Sequence, residues 1–133
     1  EVDGILPKTY MGWEIYPEGL LRFLERTAQE YTGELPIFVT ENGMAAHDDI
    51  VAGEVQDDHR IAYIEAHLAD VRRAIARGVP VKGYFCWSLL DNYEWSFGYD
   101  KRFGLVHVDF DTLARLPKAS YHALKGALTE GHS

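Results

Sequence analysis

Long apolar runs, paired cysteines and basic charge are all scarce in this chain. No apolar stretch approaches the roughly 20 residues that cross a bilayer, and the first residues do not resemble a signal peptide, so no membrane association is expected. The single cysteine, Cys86, excludes an intramolecular disulfide and lies in an apolar run, where a free thiol behaves as a small hydrophobe. It favours a reducing, cytoplasmic compartment. Thirteen Lys and Arg against 21 Asp and Glu give a net charge of -8, which opposes contact with phosphate backbones and anionic lipid surfaces and excludes nucleic acid as an expected partner. The six histidines show no His-x-x-x-His spacing, and neither a glycine-rich phosphate loop nor a serine elbow occurs. No metal and no cofactor is expected.

What is present is a globular composition, 47% hydrophobic and 13% aromatic, in a length that allows one domain. From Glu18 to Tyr31 the apolar residues Leu20, Leu21, Leu24, Ala28 and Tyr31 form a helical stripe between Pro17 and Gly33. Ile37 to Thr40 reads as a strand, and Met44 to Gln56 as a solvated acidic loop carrying Asp48, Asp49 and Glu54. Asp57 or Asp58 can cap a second helix with the stripe Ile61, Ile64, Leu68, Val71 and Ile75, which ends in arginines and Gly78. Val81 to Trp87 reads as a strand buried on both faces. A small hairpin, Leu105 to Phe110 against Ala114 to Leu116, and a closing helix from Lys118 to Leu128 with apolar Ala119, Leu124 and Leu128 complete the chain. Helix and strand alternate as in a parallel sheet.

Two stretches carry chemistry. In Pro36-Ile37-Phe38-Val39-Thr40-Glu41-Asn42-Gly43 an apolar strand runs into a turn dipeptide and delivers one carboxylate, Glu41, at the strand exit. Locally, this pattern fits a solvated carboxylate as well as a catalytic one. The second stretch, Trp87 to Gly104, holds two of the three tryptophans and four further aromatic rings, with Glu94 among them. Flat apolar rings suit the C–H faces of a sugar, while a carboxylate and indole N–H groups suit its hydroxyls. An aromatic cluster that only packs a long loop would have the same composition. His59 and His67, on one expected helix, read as solvent-facing or core residues.

Taken together the two stretches resemble a known family. Thr40-Glu41-Asn42-Gly43, then Trp87-Ser88-Leu89-Leu90-Asp91-Asn92-Tyr93-Glu94-Trp95, then Arg102-Phe103-Gly104-Leu105, closely resemble the C-terminal part of family 1 glycoside hydrolases, the β-glucosidase family. Gly12-Trp13-Glu14-Ile15-Tyr16-Pro17-Glu18-Gly19-Leu20 matches the same pattern. The resemblance implies an α/β fold: the C-terminal portion of a TIM (β/α)8 barrel, from about its sixth or seventh strand to its eighth and the following helices. Residues 1–133 would then be the C-terminal segment of one barrel domain, not a complete domain. By matched position Glu41 would be the catalytic nucleophile, Trp87 the platform under the terminal sugar, Glu94 and Trp95 partners of its outer hydroxyls, and Phe103 an apolar wall. Trp13, Tyr16 and Asn92 are expected in structural roles.

The resemblance also implies a retaining hydrolysis of neutral β-glycosides. A phospho-sugar branch of the family carries Ser where this chain has Glu94, with Lys and Tyr further on. Lys101 fits that branch, but Phe103 lacks the phenol, and the Glu94 charge would repel a phosphate. A retaining mechanism needs a second carboxyl group, which the family supplies from an Asn-Glu-Pro motif earlier in the barrel, and no such motif occurs here. An N-terminal fragment or chain of the same enzyme is therefore the expected partner. The alternative is a sugar-binding or assembly module without hydrolysis, built on a glycosidase barrel.

Overall fold

The computed structural model describes residues 4–130, with no side-chain detail for residue 130. Helix α1 (Pro17–Thr27) starts on a proline at its first turn, where the missing N–H has no intrahelical partner to lose, and carries Glu18 near its positive end. Leu21 and Leu24 are its buried residues. The helix continues through a π-helical turn, Ala28–Thr32, closed by Gly33 N–H donating to the Ala28 carbonyl at 2.8 Å. The expected stripe is correct as far as Ala28. The wider i→i+5 turn then rotates Tyr31 off the packed face, and its ring is exposed.

Strand β1 (Ile37–Asn42) extends two residues beyond expectation, so that Glu41 belongs to the strand itself. Helix α2 (Asp58–Ala76) crosses over to strand β2 (Val81–Cys86), which pairs with β1 in parallel. Leu21 and Leu24 of α1, Val71 and Ala74 of α2, and Val79 and Val81 form one buried cluster, and Ile37, Val39 and Tyr84 pack against it. Each fully buried aliphatic side chain contributes about 1.5–3 kcal/mol. The helices thus cover one face of the two-stranded sheet.

The other face departs from expectation. Strand β2 is not buried on both sides: Phe85 is 58% exposed, and on β1 Phe38, which pairs with Gly83, is 53% exposed. These rings point away from α1 and α2, towards the side of the sheet that nothing in the described residues covers. Ile75 and Leu128, expected in buried stripes, are also exposed. The buried face of α2 runs through Arg60, Ile64, His67, Val71 and Ala74; Ile75 lies at the edge of this face in the last turn of the helix and is 49% exposed. His67 takes the core alternative: it is buried, with Nδ1 2.7 Å from the Tyr63 carbonyl.

After a short 3-10 turn (Trp95–Phe97), strands β3 (Val106–Val108) and β4 (Arg115–Pro117) form the expected antiparallel hairpin, and helix α3 (Ala119–Glu130) follows. The segment Met44 to Gln56 is solvated only in part: Asp49 to Glu54 are exposed, as expected, but the residues on either side of them are not. Met44, Ala45, Ala46, Asp48 and Val55 are all buried, because the segment is pinned by Tyr10 N–H to the Ala45 carbonyl at 3.1 Å and by Ala46 N–H to the Arg102 carbonyl at 3.0 Å. No helix among the described residues is long and apolar enough to cross a membrane.

Beneath the two loops lies a buried ion network. Arg60 forks onto Asp48 with bonds of 2.8 and 2.6 Å and also reaches Asp57. Lys118 Nζ bridges Asp48 at 2.6 Å and Asp91 at 2.8 Å, and Arg102 donates to Asp91 at 2.6 Å. Three carboxylates meet three cations, and the side chains of Arg60, Lys118, Asp48 and Asp57 are almost wholly out of solvent. Asp57 does stand before α2, as expected of a cap, but its carboxylate makes no cap bond there. It accepts instead from Ser120 N–H at 2.8 Å and Ser120 Oγ at 2.6 Å, capping α3. For Asp48, burial alone would raise the carboxyl pKa, yet the Arg60 hydrogen bonds and charge, together with Lys118, hold it below the ordinary carboxylate range.

Candidate active site

Both parallel strands run out at the same end of the sheet, where the chain bends and a cavity of about 320 Å3 opens. Trp13, Glu41, Asn42, Gly43, Tyr63, Trp87, Glu94, Trp95 and Phe103 line it. All five residues singled out from the sequence are therefore in one place, although Glu41 and Phe103 are far apart along the chain. The strand exits are stitched together: Trp87 N–H donates to the Asn42 carbonyl at 2.9 Å, and the Trp87–Ser88 peptide bond is cis. Glycine is required beside it, since a Cβ on Gly43 would overlap the Trp87 carbonyl oxygen.

The rings form the cavity's apolar surfaces. Phe103 is buried, and the Trp13 ring lies 6.2 Å from it, centroid to centroid. Trp87 is partly open at 37% exposure, while Trp95 stands 81% exposed. Trp95 also has a positive φ of 43°, rare for a bulky side chain. Its turn is held by Glu94 N–H to the Gly98 carbonyl at 2.7 Å and Gly98 N–H back to the Trp95 carbonyl at 3.2 Å. An indole kept in a strained backbone and turned to solvent is a feature of ligand-holding loops. Beneath the loop, Asp91 of the ion network accepts from Gly104 N–H at 2.9 Å, which fixes the segment carrying Phe103.

Sequence reasoning missed two parts of this site. Trp13, expected in a structural role, is half-exposed at the cavity mouth. Tyr63 was unremarked; it sits on α2, and its hydroxyl accepts from Asn42 Nδ2 at 3.3 Å. The signal for Tyr63 was a large polar-tipped ring in the second turn of a helix that starts at the strand-exit end. Asn92 is structural, donating to Ser88 Oγ and the Leu90 carbonyl, both at 3.2 Å. Tyr16 packs its ring under Gly19, outside the cavity.

Lys101 does not line the cavity. Its ammonium lies 3.4 Å from the centre of the Tyr10 ring and donates to the Tyr10 carbonyl at 2.9 Å. The lining contains two carboxylates, Glu41 and Glu94, and no cationic side chain among the described residues. No group of three or more metal-ligating side chains occurs among them either.

The fold and the cavity at its strand exits define a portion of an α/β barrel with a polar and aromatic cleft at one end. The profile of Glycosyl hydrolase family 1 matches residues 1–130, and the chain belongs to that family. Beta-glucosidase A of Thermotoga maritima is 52% identical over 121 residues, which are 90% of this chain and 27% of that protein. A 1,4-beta-D-glucan glucohydrolase of Thermotoga neapolitana is 54% identical over a segment of the same length, and a 6-phospho-beta-galactosidase of Streptococcus equi subsp. zooepidemicus is 49% identical over 118 residues, 89% of this chain and 25% of that protein. The family 1 β-glucosidase of Thermotoga maritima in complex with isofagomine lactam superimposes with a TM-score of 0.93 at 46% identity, over 96% of this chain and 29% of that one. The fold is thus that of a fragment of a TIM barrel, and the chain spans about a quarter of the length of the relatives it matches.

Proposed function

We propose that this chain is the C-terminal segment of a retaining β-glycosidase of the β-glucosidase kind, with β1 and β2 as the seventh and eighth strands of the barrel. One observation carries the reading: Glu41, at the exit of β1, opens into a cavity walled by Trp87, Trp95 and Phe103 and shared with Glu94. Catalytic groups of such barrels sit at the C-terminal ends of the strands. A closed barrel takes about 250 residues, and the uncovered Phe38 and Phe85 face of the sheet is the surface that further strands would line. On this reading residues 1–133 are part of one barrel domain, and the rest is supplied by the N-terminal part of the same enzyme, on one polypeptide or two.

The chemistry proceeds in two displacements. The Glu41 carboxylate attacks the anomeric carbon and forms a glycosyl ester as the bond to the leaving group breaks; the departing oxygen takes a proton from the second carboxylic acid. That group comes from the rest of the barrel, about 5–5.5 Å from Glu41 in a retaining site. Water, deprotonated by the same group, then cleaves the ester and releases the sugar with its configuration retained. Trp87 carries the sugar's apolar face, Glu94 and the Trp95 indole N–H bind its outer hydroxyls, and Phe103 closes one wall. The substrate class is neutral. A 6-phosphate would meet Glu94 without a counter-charge, because Lys101 is held on Tyr10.

A 2-deoxy-2-fluoro aryl β-glycoside, incubated with the assembled enzyme and followed by peptide mapping, is expected to leave its label on Glu41. A label on another residue would remove the assignment. A labelled binding step with no turnover of any aryl β-glycoside would favour the sugar-binding module instead.

A further inference from the structure

The register of the sheet shows how Glu41 comes to face the cavity. Ile37 pairs with Val81, Phe38 with Gly83, Val39 with Tyr84 and Asn42 with Cys86. Between the first two pairs β2 carries one extra residue, Lys82, and between the last two β1 carries one extra, within Thr40–Glu41. The two irregularities cancel. In an unbroken strand side chains alternate, so Glu41 would share the helix-covered face of Ile37 and Val39, and Asn42 would point the other way. The bulge reverses this order, as bulges beside active sites do when they re-aim a side chain.

The Asn42 amide is gripped from both sides. Tyr84 OH, on β2, donates to its Oδ1 at 2.7 Å, and its Nδ2 donates to Tyr63 OH, on α2, at 3.3 Å. The Asn42 carbonyl is held as well, by Trp87 N–H at 2.9 Å. The grip joins the bulged strand to the neighbouring strand and to the helix above it. Burial pushes both phenol pKa values up, so each hydroxyl keeps its proton across the working pH range. Tyr84 therefore remains a donor and Tyr63 a neutral acceptor.

We infer that Asn42, clamped between Tyr63 and Tyr84, is a positioning residue that fixes the bulge at Thr40–Glu41 and with it the direction of the Glu41 carboxylate into the cavity. The inference rests on the reading of Glu41 as nucleophile. Asn42 takes no part in bond making; it sets where the attacking oxygens stand.

The test compares the assembled parent enzyme with Asn42→Ala and Tyr84→Phe, using the 2-fluoro glycoside as probe and following labelling against probe concentration. The rate at saturation is expected to fall roughly 10- to 100-fold in Asn42→Ala, and less in Tyr84→Phe, as for a nucleophile displaced by a fraction of an ångström to an ångström. The concentration at half-saturation should stay within about twofold, because Trp87, Glu94 and Trp95 are untouched. Tyr84→Phe keeps the ring and removes only the hydroxyl, so it reports even if Asn42→Ala fails to fold. A folded Tyr84→Phe with the parent's labelling rate, or one that loses affinity at an unchanged rate, overturns the inference while the parent's label on Glu41 keeps the nucleophile reading intact. A parent label on another residue overturns both.

Discussion

At the strand exits Glu41 and Glu94 stand in an open cavity with no cation among its described lining residues; under the same loops Asp48, Asp57 and Asp91 are shut away against Arg60, Lys118 and Arg102. Both regions draw their carboxylates from β1, β2 and the segments that follow them, and both take further side chains from α2, Tyr63 in the cavity and Arg60 in the network. The difference is in pairing. A buried carboxylate must be matched by charge and hydrogen bonds or it destabilises the fold, whereas one facing a cleft can stay unmatched until a substrate arrives. Pairing, more than position in the loop, therefore separates the acids that hold the structure from those available for chemistry.

The largest expected effect lies on the unmatched side. Glu41→Gln in the assembled enzyme should lower kcat for an aryl β-glycoside on the order of 10^4-fold, with little change in the thermal midpoint, since no hydrogen bond or ion pair among the described residues depends on the Glu41 carboxylate. A variant that loses stability as much as activity would show that Glu41 belongs with the structural acids. Next comes Asp48→Ala, which strands Arg60 and Lys118 without their shared partner. It should cost about 3–5 kcal/mol in denaturant unfolding. A loss below 1 kcal/mol would mean that water enters the network and that the two regions differ less than their burial suggests.

The smallest effect is a pH dependence. The Asp48 pKa is lower in the folded protein than its unfolded value of about 3.9, so the stability it lends is complete above roughly pH 4 and is lost as the pH falls through the depressed folded value. His67 acts at milder pH. Burial, only partly offset by the Tyr63 carbonyl and Asp70, lowers its pKa below the ordinary value of about 6.5. The unfolded chain takes up that proton first, so stability should decline as the pH drops below about 6.5. His67→Gln should flatten the curve of unfolding midpoint between about pH 7 and 5; an unchanged slope would assign the dependence to another group.

Much of this was legible in the sequence where neighbours along the chain decide the outcome. Ile37-Phe38-Val39 announced a strand and Leu20 to Ala28 a helix, and Glu41 was grouped with Trp87, Glu94, Trp95 and Phe103, which do line one cavity. Where distant partners decide, the sequence misled. Asp48 looked like one acid of a solvated loop, because nothing local shows that Arg60 and, 70 residues on, Lys118 close over it. The strand-long alternation pattern concealed the bulge that turns Glu41, and Trp13 and Tyr63 reach the cavity only through tertiary placement. Phe85 was misread for a related reason: an apolar strand looks the same whether one of its faces is covered or both are.

The ion network also imposes an order of events. Asp48 and Arg60 emerge from the ribosome long before Lys118, which follows Asp48 by 70 residues. The loop behind Glu41 therefore acquires its final anchor only after β2, the Trp87 loop and the β3–β4 hairpin have been synthesised. Until then Asp48 and Asp91 lack the ammonium that bridges them in the folded chain.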